Sequence, residues 1–208
     1  MNGTRPIVHV IDDDTSFLAA ISRLLRASGF EVKTFSSATE FLAKRKVDDA
    51  GCVVADLQMA GMNGLELQSA LAQTVNPLPM LFLTGHGDVP SSVRAMRGGA
   101  EDFLEKRAPK EQLVDAVRRC LARAASERQS RTEAHHLRAR FDALSERELE
   151  VLSHVVQGRL NKQIADDLRI HERTVKLHRT SITTKLGVSS VAELTRVTLQ
   201  AGVFPPFK

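Results

Sequence analysis

Four places in the first half of the chain combine a short apolar run with a polar group that could do chemistry directly after it. Asp12 and Asp13 follow one such run, Asp56 another, and Thr84 and Lys106 the last two. Short apolar runs bounded by turn residues are typical of buried strands in a parallel sheet. Parallel strands bring their carboxyl ends to one edge, where open α/β sheets bind ligands. The five groups are therefore expected to meet at one site.

The chemistry that this site would support is phosphoryl transfer with a divalent cation. Mg²⁺ (or Mn²⁺) prefers hard oxygen ligands. Asp13 and Asp56 would supply carboxylates, Asp12 would hold a metal-bound water, and the backbone carbonyl of Gln58 is a further candidate ligand. Asp56 could also attack a phosphorus centre as a nucleophile.

Two other polar groups would act on the transferred phosphoryl group. The Lys106 ammonium and the metal would neutralise charge on its oxygens, and the Thr84 hydroxyl would donate a hydrogen bond to it. Each of these residues alone has an ordinary structural explanation, such as a turn, a helix cap or a solvated surface. Their joint placement at successive strand ends is what indicates a site.

The elements that must position these residues form a regular alternation over the first 120 residues. The predicted strands are 7–11, 30–35, 52–55, 80–83 and 101–105, and the predicted helices lie near 15–28, 37–45, 65–73, 89–97 and 109–121. Five strand–helix units with right-handed crossovers predict an α/β domain with a flavodoxin-like, doubly wound, five-stranded parallel sheet. Asp12 and Asp56 would then flank its switch point.

The rest of the chain is predicted to be helical. Residues 122–142 are polar and are interpreted as a helical or flexible linker. From residue 143 the sequence predicts an all-α domain of four helices, of which the first has the capping box Ser145–Glu148. Two short helices joined by a tight turn, the second of them basic, predict a helix-turn-helix. The predicted domains are therefore 1–121, 122–142 and 143–208.

Composition narrows the class of protein. The formal net charge is +4 for 208 residues. By count, residues 1–120 hold 14 basic and 15 acidic residues, which leaves 15 and 10 of the totals of 29 and 25 in residues 121–208. The basic excess in the helical part favours an acidic partner such as nucleic acid. Cys52 and Cys120 fit neither a disulfide framework nor a zinc spacing. Without a long apolar run, the protein is expected to be cytoplasmic, with no membrane partner.

Two stretches resemble known families. Ile11-Asp12-Asp13, Asp56 with Gly64 eight residues later, Thr84-Gly85, and Phe103 three residues before Lys106 resemble a bacterial response-regulator receiver domain. Residues 143–208 resemble the LuxR-type helix-turn-helix of the NarL/FixJ subfamily. The matching runs are Leu144-Ser145-Glu146-Arg147-Glu148, Asn161-Lys162-Gln163-Ile164-Ala165 and Thr174-Val175-Lys176-Leu177-His178-Arg179. His86-Gly87-Asp88-Val89 and the single-Phe switch position are most similar to the FixJ-like branch.

The receiver resemblance implies a phosphorylation switch. Asp56 would accept a phosphoryl group from a partner sensor histidine kinase, with Mg²⁺ held by Asp12, Asp13 and Asp56. Thr84 would then move toward the phosphoryl group and Phe103 would swing into the vacated space, which repacks the face of the fourth helix, fifth strand and fifth helix. The resemblance implies no enzyme in the usual sense, since a receiver catalyses only its own phosphorylation and dephosphorylation.

The chain departs from the receiver pattern at two loop positions. Arg107 stands where receivers usually have a proline in a cis peptide bond, so either the loop shape differs or the bond is a costly non-proline cis bond. Ala60 replaces a usual proline in the loop after Asp56, which is expected to loosen that loop. Gln58 and His86, each two residues past a site residue, are candidates for controlling water access and dephosphorylation.

The LuxR-type resemblance implies that the helix from about Glu172 enters the major groove of double-stranded DNA. The candidates for base contacts are Lys176, Leu177 and Thr180. Further candidates, as phosphate contacts or packing residues, are Lys162, Thr174, Arg179 and Lys185. Half-sites one helical turn apart require two modules, so a homodimer on phosphorylation is expected. A face that includes Val93, Arg97 and Asp102 is the predicted interface.

Two alternatives stay open from the sequence. A phosphatase of the haloacid-dehalogenase type also uses an aspartyl nucleophile, Mg²⁺, a hydroxyl and a lysine, although 120 residues leave little room for a cap domain. A DNA-binding regulator with a degenerate, phosphorylation-independent receiver is the other alternative, and Arg107 is the residue that favours it.

Overall fold

The computed structural model describes residues 5–85 and 89–203. The element order confirms the predicted alternation of strands and helices. The strands are β1 Ile7–Ile11, β2 Glu31–Phe35, β3 Gly51–Ala55, β4 Met80–Thr84 and β5 Asp102–Glu105. The helices are α1 Thr15–Ala27, α2 Ala38–Lys44, α3 Gly64–Ala72, α4 Val89–Arg97, α5 Lys110–Asp142, α6 Glu146–Val156, α7 Asn161–Leu168, α8 Glu172–Leu186 and α9 Val191–Ala201.

The five strands form one parallel sheet in the order β2-β1-β3-β4-β5. This is the flavodoxin-like order, whose direction reverses between β1 and β3. Every residue of β1, β3 and β4 is buried, as their continuous apolar sequences require when helices cover both faces of a sheet. The predicted fold class is confirmed.

Two apolar cores fill the spaces between this sheet and its helices. On one face, α1 and α5 pack through residues such as Leu18, Leu25 and Val117. On the other face, α2, α3 and α4 pack through residues such as Phe41, Leu67 and Ala95. Fully burying a large apolar side chain stabilises a fold by about 1.5–3 kcal/mol, so these two layers hold the strand ends in place.

The last helix of the sheet domain extends through the segment that is predicted to be a helical or flexible linker. It was expected to end near Leu121, but α5 continues to Asp142, so residues 122–142 lie within it. The chain divides into two compact units, one up to Arg128 and the other from Gln129, and this division falls within α5.

The second unit is built from helices around its own apolar core. Ile164, Val175 and Ile182 are among the buried residues that hold α7 and α8 against α6 and α9. Ser145 caps α6 and forms the predicted capping box with Glu148. Arg169 adopts a left-handed backbone conformation (φ 52°) after α7, which makes the tight turn into α8.

Candidate functional site

The polar groups predicted from the strand ends are brought together at one edge of the sheet. Asp12 directly follows β1, Asp56 follows β3, Thr84 ends β4 and Lys106 follows β5. Backbone hydrogen bonds continue the sheet past its strands and hold these positions side by side. Asp56 N–H donates to the Ile11 carbonyl at 2.9 Å, and Lys106 N–H donates to the Thr84 carbonyl at 2.8 Å.

Three carboxylates form the acidic part of the pocket. Asp12, Asp13 and Asp56 each offer an oxygen, and these oxygens lie within 4.8 Å of one another. Asp12 and Asp56 are buried, whereas Asp13 is exposed at the rim. Closely spaced oxygen donors with one open side fit Mg²⁺ or Mn²⁺, which keeps some water ligands and can share phosphate oxygens. The residues present therefore fit the metal that the sequence predicts.

Lys106 reaches into this pocket and contacts two of the acids. Its Nζ lies 2.6 Å from Asp12 Oδ2 and 2.8 Å from Asp56 Oδ2. Burial disfavours the charge of the ammonium, but the hydrogen bonds to Asp12 and Asp56 outweigh that effect and raise the pKa of Lys106. Burial raises the pKa of the Asp12 carboxyl, and the hydrogen bonds from Lys106 and from the Asp14 backbone N–H oppose the rise.

The loop that carries Lys106 has Arg107 where the receiver pattern has proline. Cis peptide bonds are absent from the described parts of the chain, so the Lys106–Arg107 bond is trans. The loop closes by a turn in which the Ala108 N–H donates to the Glu105 carbonyl at 2.9 Å. Of the two possibilities at Arg107, the costly non-proline cis bond is not present, and Lys106 reaches the acids.

The loop after Asp56 is tied to the rim of the pocket. The Ala60 N–H donates to Asp13 Oδ2 at 3.0 Å, a contact that a proline at this position could not make. Ala60 thus supplies a backbone donor that ties the loop to Asp13, while the expectation that its replacement of proline loosens the loop stays a prediction. Gln58 is exposed, and its backbone N–H is 3.4 Å from Asp56 Oδ1.

Gly64 has a steric reason for its place eight residues after Asp56. A Cβ atom there would lie 2.5 Å from the Asp56 carbonyl oxygen and 2.8 Å from the Phe82 ring. Only glycine lets α3 begin this close to the backbone of Asp56. Asn63 caps that helix and completes a capping box with Glu66. The turn from β3 into α3 is thus held firmly against the pocket.

The residues proposed to relay the switch lie beside the pocket. Thr84 is buried at the end of β4. The next residue, Gly85, is not crowded, since an added Cβ atom would lie 4.0 Å from Lys106 Cδ. Phe103 on β5 is half-buried, with its ring centroid 6.0 Å from that of Phe82. His86, the other candidate for control of dephosphorylation, lies outside the described residues.

In the helical unit, the predicted base-contact residues share an exposed stripe of α8. Leu177 is 64% exposed, and Lys176 and Thr180 are also exposed. Lys176 Nζ lies 3.2 Å from Glu172 Oε1, and the Thr180 hydroxyl donates to the Lys176 carbonyl. Arg173 lies on the same stripe, four residues before Leu177, and is exposed at the first turn of the helix.

The four residues predicted as phosphate contacts or packing residues differ in their exposure and in their partners. Lys162 is exposed at the start of α7, and Thr174 is half-buried. Arg179 donates to Asn161 Oδ1 at 2.9 Å, which joins α8 to α7. Lys185 lies 2.7 Å from Glu148 Oε2, so its ammonium has a structural partner in α6. Of the two roles that the sequence leaves open for Lys185, the structure favours packing.

Glu148 is the centre of that contact between α6 and α8. It is buried, and its carboxylate accepts hydrogen bonds from the Ser181 hydroxyl at 2.6 Å and from the Ser145 backbone N–H at 2.8 Å. Burial disfavours the charge, but the hydrogen bonds from Lys185, Ser181 and Ser145 lower the pKa of Glu148 to about 2. This carboxylate therefore stays ionised and holds the basic helix in place.

Comparison with known proteins decides the family. Residues 8–118 match the response regulator receiver domain, and residues 142–198 match the luxR family of bacterial regulatory proteins. The chain is 42% identical over 198 residues to the response regulator protein TmoT of Ectopseudomonas mendocina, covering 95% of this chain and 90% of TmoT. This chain belongs to the response regulators with a LuxR-type DNA-binding domain.

Other relatives of this response regulator support the same assignment. The transcriptional regulatory protein FixJ of Azorhizobium caulinodans is 41% identical over 198 residues, which cover 95% of this chain and 94% of FixJ. The solved structure of the response regulator StyR is 43% identical, with a TM-score of 0.83 over 95% of this chain and all of the StyR chain. Full-length FixJ from B. japonicum is 35% identical, with a TM-score of 0.57 over 98% of this chain and all of that chain. The predicted family resemblance is confirmed.

Three functional candidates in this response regulator were missed by sequence reasoning. The Phe17 ring lies beneath Lys106, with the ammonium 4.4 Å from its centroid. Arg173 lies on the exposed stripe of α8, and Glu148 joins α6 to α8. The spacing between Arg173 and Leu177 could have revealed Arg173, and the capping box already singled out Glu148 as a cap. No sequence signal indicates Phe17, because its ring and Lys106 lie on different elements.

The helices were also compared with the length and apolar character that a membrane span requires. Within residues 5–85 and 89–203, no helix is both long enough and apolar enough to cross a membrane.

Proposed function

We propose that this response regulator is a transcription factor switched by phosphorylation of Asp56, with a sensor histidine kinase as its phosphoryl donor. The observation that carries the proposal is the group of three acidic side chains within 4.8 Å, with Lys106 in contact with Asp12 and Asp56. Carboxylates for a metal, a nucleophilic aspartate and a cation for the transferred oxygens are the parts that phosphoryl transfer needs.

Each residue of the pocket has a proposed role. Asp12, Asp13 and Asp56, with the backbone carbonyl of Gln58, would hold Mg²⁺ or Mn²⁺, which when bound supplies positive charge to the phosphoryl oxygens. Asp56 Oδ would form the new bond to phosphorus as the bond to the donor's leaving group breaks. Lys106 and Thr84 would then contact the product, and Phe103 would relay the change. The residues proposed to function in the switch are Asp12, Asp13, Asp56, Gln58, Thr84, Phe103 and Lys106.

The switch would act by joining two copies of the chain. On α4, Val93 is 43% and Met96 is 47% exposed, which leaves an apolar strip facing solvent. Beside it, Arg97 is exposed and Asp102 pairs with Arg119 at 2.6 Å. We propose this face of α4, β5 and α5 as the homodimer interface of the phosphorylated protein. Its DNA-bound form would then read two half-sites.

The helical unit would bind double-stranded DNA through α8. Lys176, Leu177 and Thr180 are proposed to contact base edges, and Arg173 is added because it is exposed on the same stripe. Lys162, Thr174 and Arg179 are proposed to contact phosphates. Since DNA is the ligand, the protein would act in the cytoplasm. No activity beyond its own phosphorylation and dephosphorylation is proposed.

The central test is phosphorylation by a small donor. Full-length protein is incubated with Mg²⁺ and acetyl phosphate, and its mass and oligomeric state are followed. The wild-type protein and Asp115→Asn, a change at a surface aspartate paired with Arg118, should gain one phosphoryl group. Asp56→Asn should gain none, because it lacks the nucleophile. Phosphorylation of Asp56→Asn at the wild-type rate would contradict the proposal.

The DNA assignments are tested by selecting preferred sequences from a random pool. Lys176→Ala and Arg173→Ala should relax the preference at one position each, since a good base contact discriminates by ~1–3 kcal/mol. Lys162→Ala should weaken binding to all sequences. It should also reduce, by about one, the steepness with which the logarithm of the binding constant falls with the logarithm of the salt concentration. An unchanged preference in both base-contact variants would remove α8 as the reading element.

A degenerate, phosphorylation-independent receiver is the second candidate function. The observation that favours it is Arg107, which follows Lys106 through a trans bond where receivers usually have a proline in a cis peptide bond. Absence of phosphorylation in the wild-type protein, together with specific DNA binding, would establish it. The phosphatase alternative loses its support, because the chain belongs to a family of regulators.

A further inference from the structure

Lys106 is held by a third group besides the two carboxylates. Its Nζ lies 4.4 Å from the centroid of the Phe17 ring. An ammonium over the face of an aromatic ring is attracted by the negative potential of that face. Phe17 stands on α1 and Lys106 after β5, so the contact joins two elements that are far apart in the sequence.

The position of the Phe17 ring is set independently of the lysine. Phe17 lies in the first turn of α1, where its backbone N–H donates to Asp14 Oδ1 at 3.1 Å. Its side chain is partly buried against the apolar core formed by α1, α5 and one face of the sheet. The ring therefore has a fixed position, and the Lys106 ammonium can pack against its face.

The loop that carries Lys106 constrains its backbone and not its side chain. The Lys106 N–H donates to the Thr84 carbonyl, and the turn closes from Ala108 to Glu105. Arg107 follows in place of the proline usual in receivers. A lysine side chain has four rotatable bonds and about 2 kcal/mol of rotamer entropy, so contacts at its tip decide where the ammonium stays. In this chain those contacts are Asp12, Asp56 and Phe17.

We propose that Phe17 is a positioning residue for phosphoryl transfer, whose ring face keeps the Lys106 ammonium over the acidic pocket. The inference rests on the proposed phosphorylation of Asp56. If Asp12 and Asp56 turned toward a bound divalent cation, the ring would still limit the Lys106 ammonium to the pocket. Without the ring, the side chain, already 19% exposed, spends more time extended into solvent.

The test replaces the ring and keeps the apolar volume. Phe17→Leu is compared with Phe17→Tyr, which keeps the aromatic face, and with Phe30→Leu. Phe30 is a matched control because it is a partly buried phenylalanine on the same core that is not placed over a lysine. The initial rate of phosphorylation by acetyl phosphate in Mg²⁺ is measured for the full-length protein.

Phe17→Leu should lower the rate about two- to tenfold, the range that a cation–π contact supports. Phe17→Tyr should restore it, and Phe30→Leu should leave it at the wild-type level. In a Lys106→Ala background, Phe17→Leu should have no further effect. An equal loss in that background, or an equal loss in Phe30→Leu, would overturn the proposal, because the ring would then act only through core packing.

A second measurement does not depend on phosphorylation. A lysine over a ring face has its ε-methylene proton resonance shifted upfield, and this signal is assigned by its absence in Lys106→Ala. The shift should be present in the wild-type protein and in Phe17→Tyr, and lost in Phe17→Leu. If the wild-type protein accepts no phosphoryl group, the proposed function fails. An unshifted Lys106 signal in the wild-type protein overturns the inference about Phe17.

Discussion

At the scale of single residues, the sequence predicted that the acids and the lysine meet in one pocket, but it did not predict the contacts that support them. Asp12, Asp56 and Lys106 could be placed because each directly follows an apolar run, and strand ends share one edge of a parallel sheet. The Ala60–Asp13 hydrogen bond and the Phe17 contact depend on loop conformation and on the packing between distant elements. Neither leaves a periodic pattern in the sequence.

His9 gives a prediction about pH at this scale. It is buried in β1 between Phe41 and Phe35, with ring centroids 5.3 and 5.9 Å away, and neither ring nitrogen has a hydrogen-bond partner among the described residues. Burial lowers the pKa of His9 to about 4; the charge of Asp49 opposes this effect, and the charges of Lys33 and Arg45 add to it. Below pH ~6.5 the unfolded chain takes up a proton that the folded protein excludes.

The free energy of unfolding of the wild-type protein should therefore fall by about 1.5 kcal/mol between pH 6.5 and pH 5, and continue to fall toward pH 4. His9→Leu should remove most of this dependence, whereas the exposed His136→Leu should keep it. Urea unfolding followed by circular dichroism at several pH values measures the effect. An unchanged pH dependence in His9→Leu would show that other groups cause it.

At the scale of elements, apolar periodicity and capping residues located most helices to within a few residues. The capping box at Ser145 and the glycine after α8 are visible in the sequence and present in the structure. The length of α5 was not predictable in the same way, because residues 122–142 carry few apolar side chains. Their high content of Ala, Arg, Glu and Gln, all strong helix formers, was the available signal.

The contact between α6 and α8 gives the prediction at this scale. Glu148→Gln removes the charge that Lys185 and Ser181 contact, and should lower the free energy of unfolding of the helical unit by about 1–3 kcal/mol. Glu150→Gln is the matched control, because Glu150 pairs with Arg147 at the surface, where a salt bridge contributes ~0–1 kcal/mol. Hydrogen exchange of the α8 amides measures the change. Equal effects of the two variants would contradict a special role for Glu148.

At the scale of the whole molecule, two family signatures in a fixed order predicted a receiver followed by a DNA-binding domain. The match of residues 8–118 and 142–198 to these two families confirms that order. The dimer interface could not be derived in this way, because the exposure of apolar residues on a helix depends on which of its faces the fold covers. In the structure, Val93 and Met96 on α4 are left uncovered.

A charged residue on that face should prevent assembly. Val93→Asp should remain monomeric after phosphorylation, because dimer formation would bury its charge, while its phosphorylation rate stays at the wild-type level. Val75→Asp is the control, since Val75 is 89% exposed in the loop between α3 and β4. Sedimentation before and after treatment with acetyl phosphate distinguishes the two. A phosphorylated dimer of Val93→Asp would place the interface elsewhere.

The contact of Lys106 with Asp12 and Asp56 also sets an ion stoichiometry. Three carboxylates and one ammonium leave two negative charges in the pocket, and a single divalent cation balances them. A second divalent cation would bring uncompensated positive charge into a largely buried space, and a monovalent cation would leave negative charge uncompensated. The pocket is therefore suited to one divalent ion per chain, because Lys106 neutralises one of its three carboxylates.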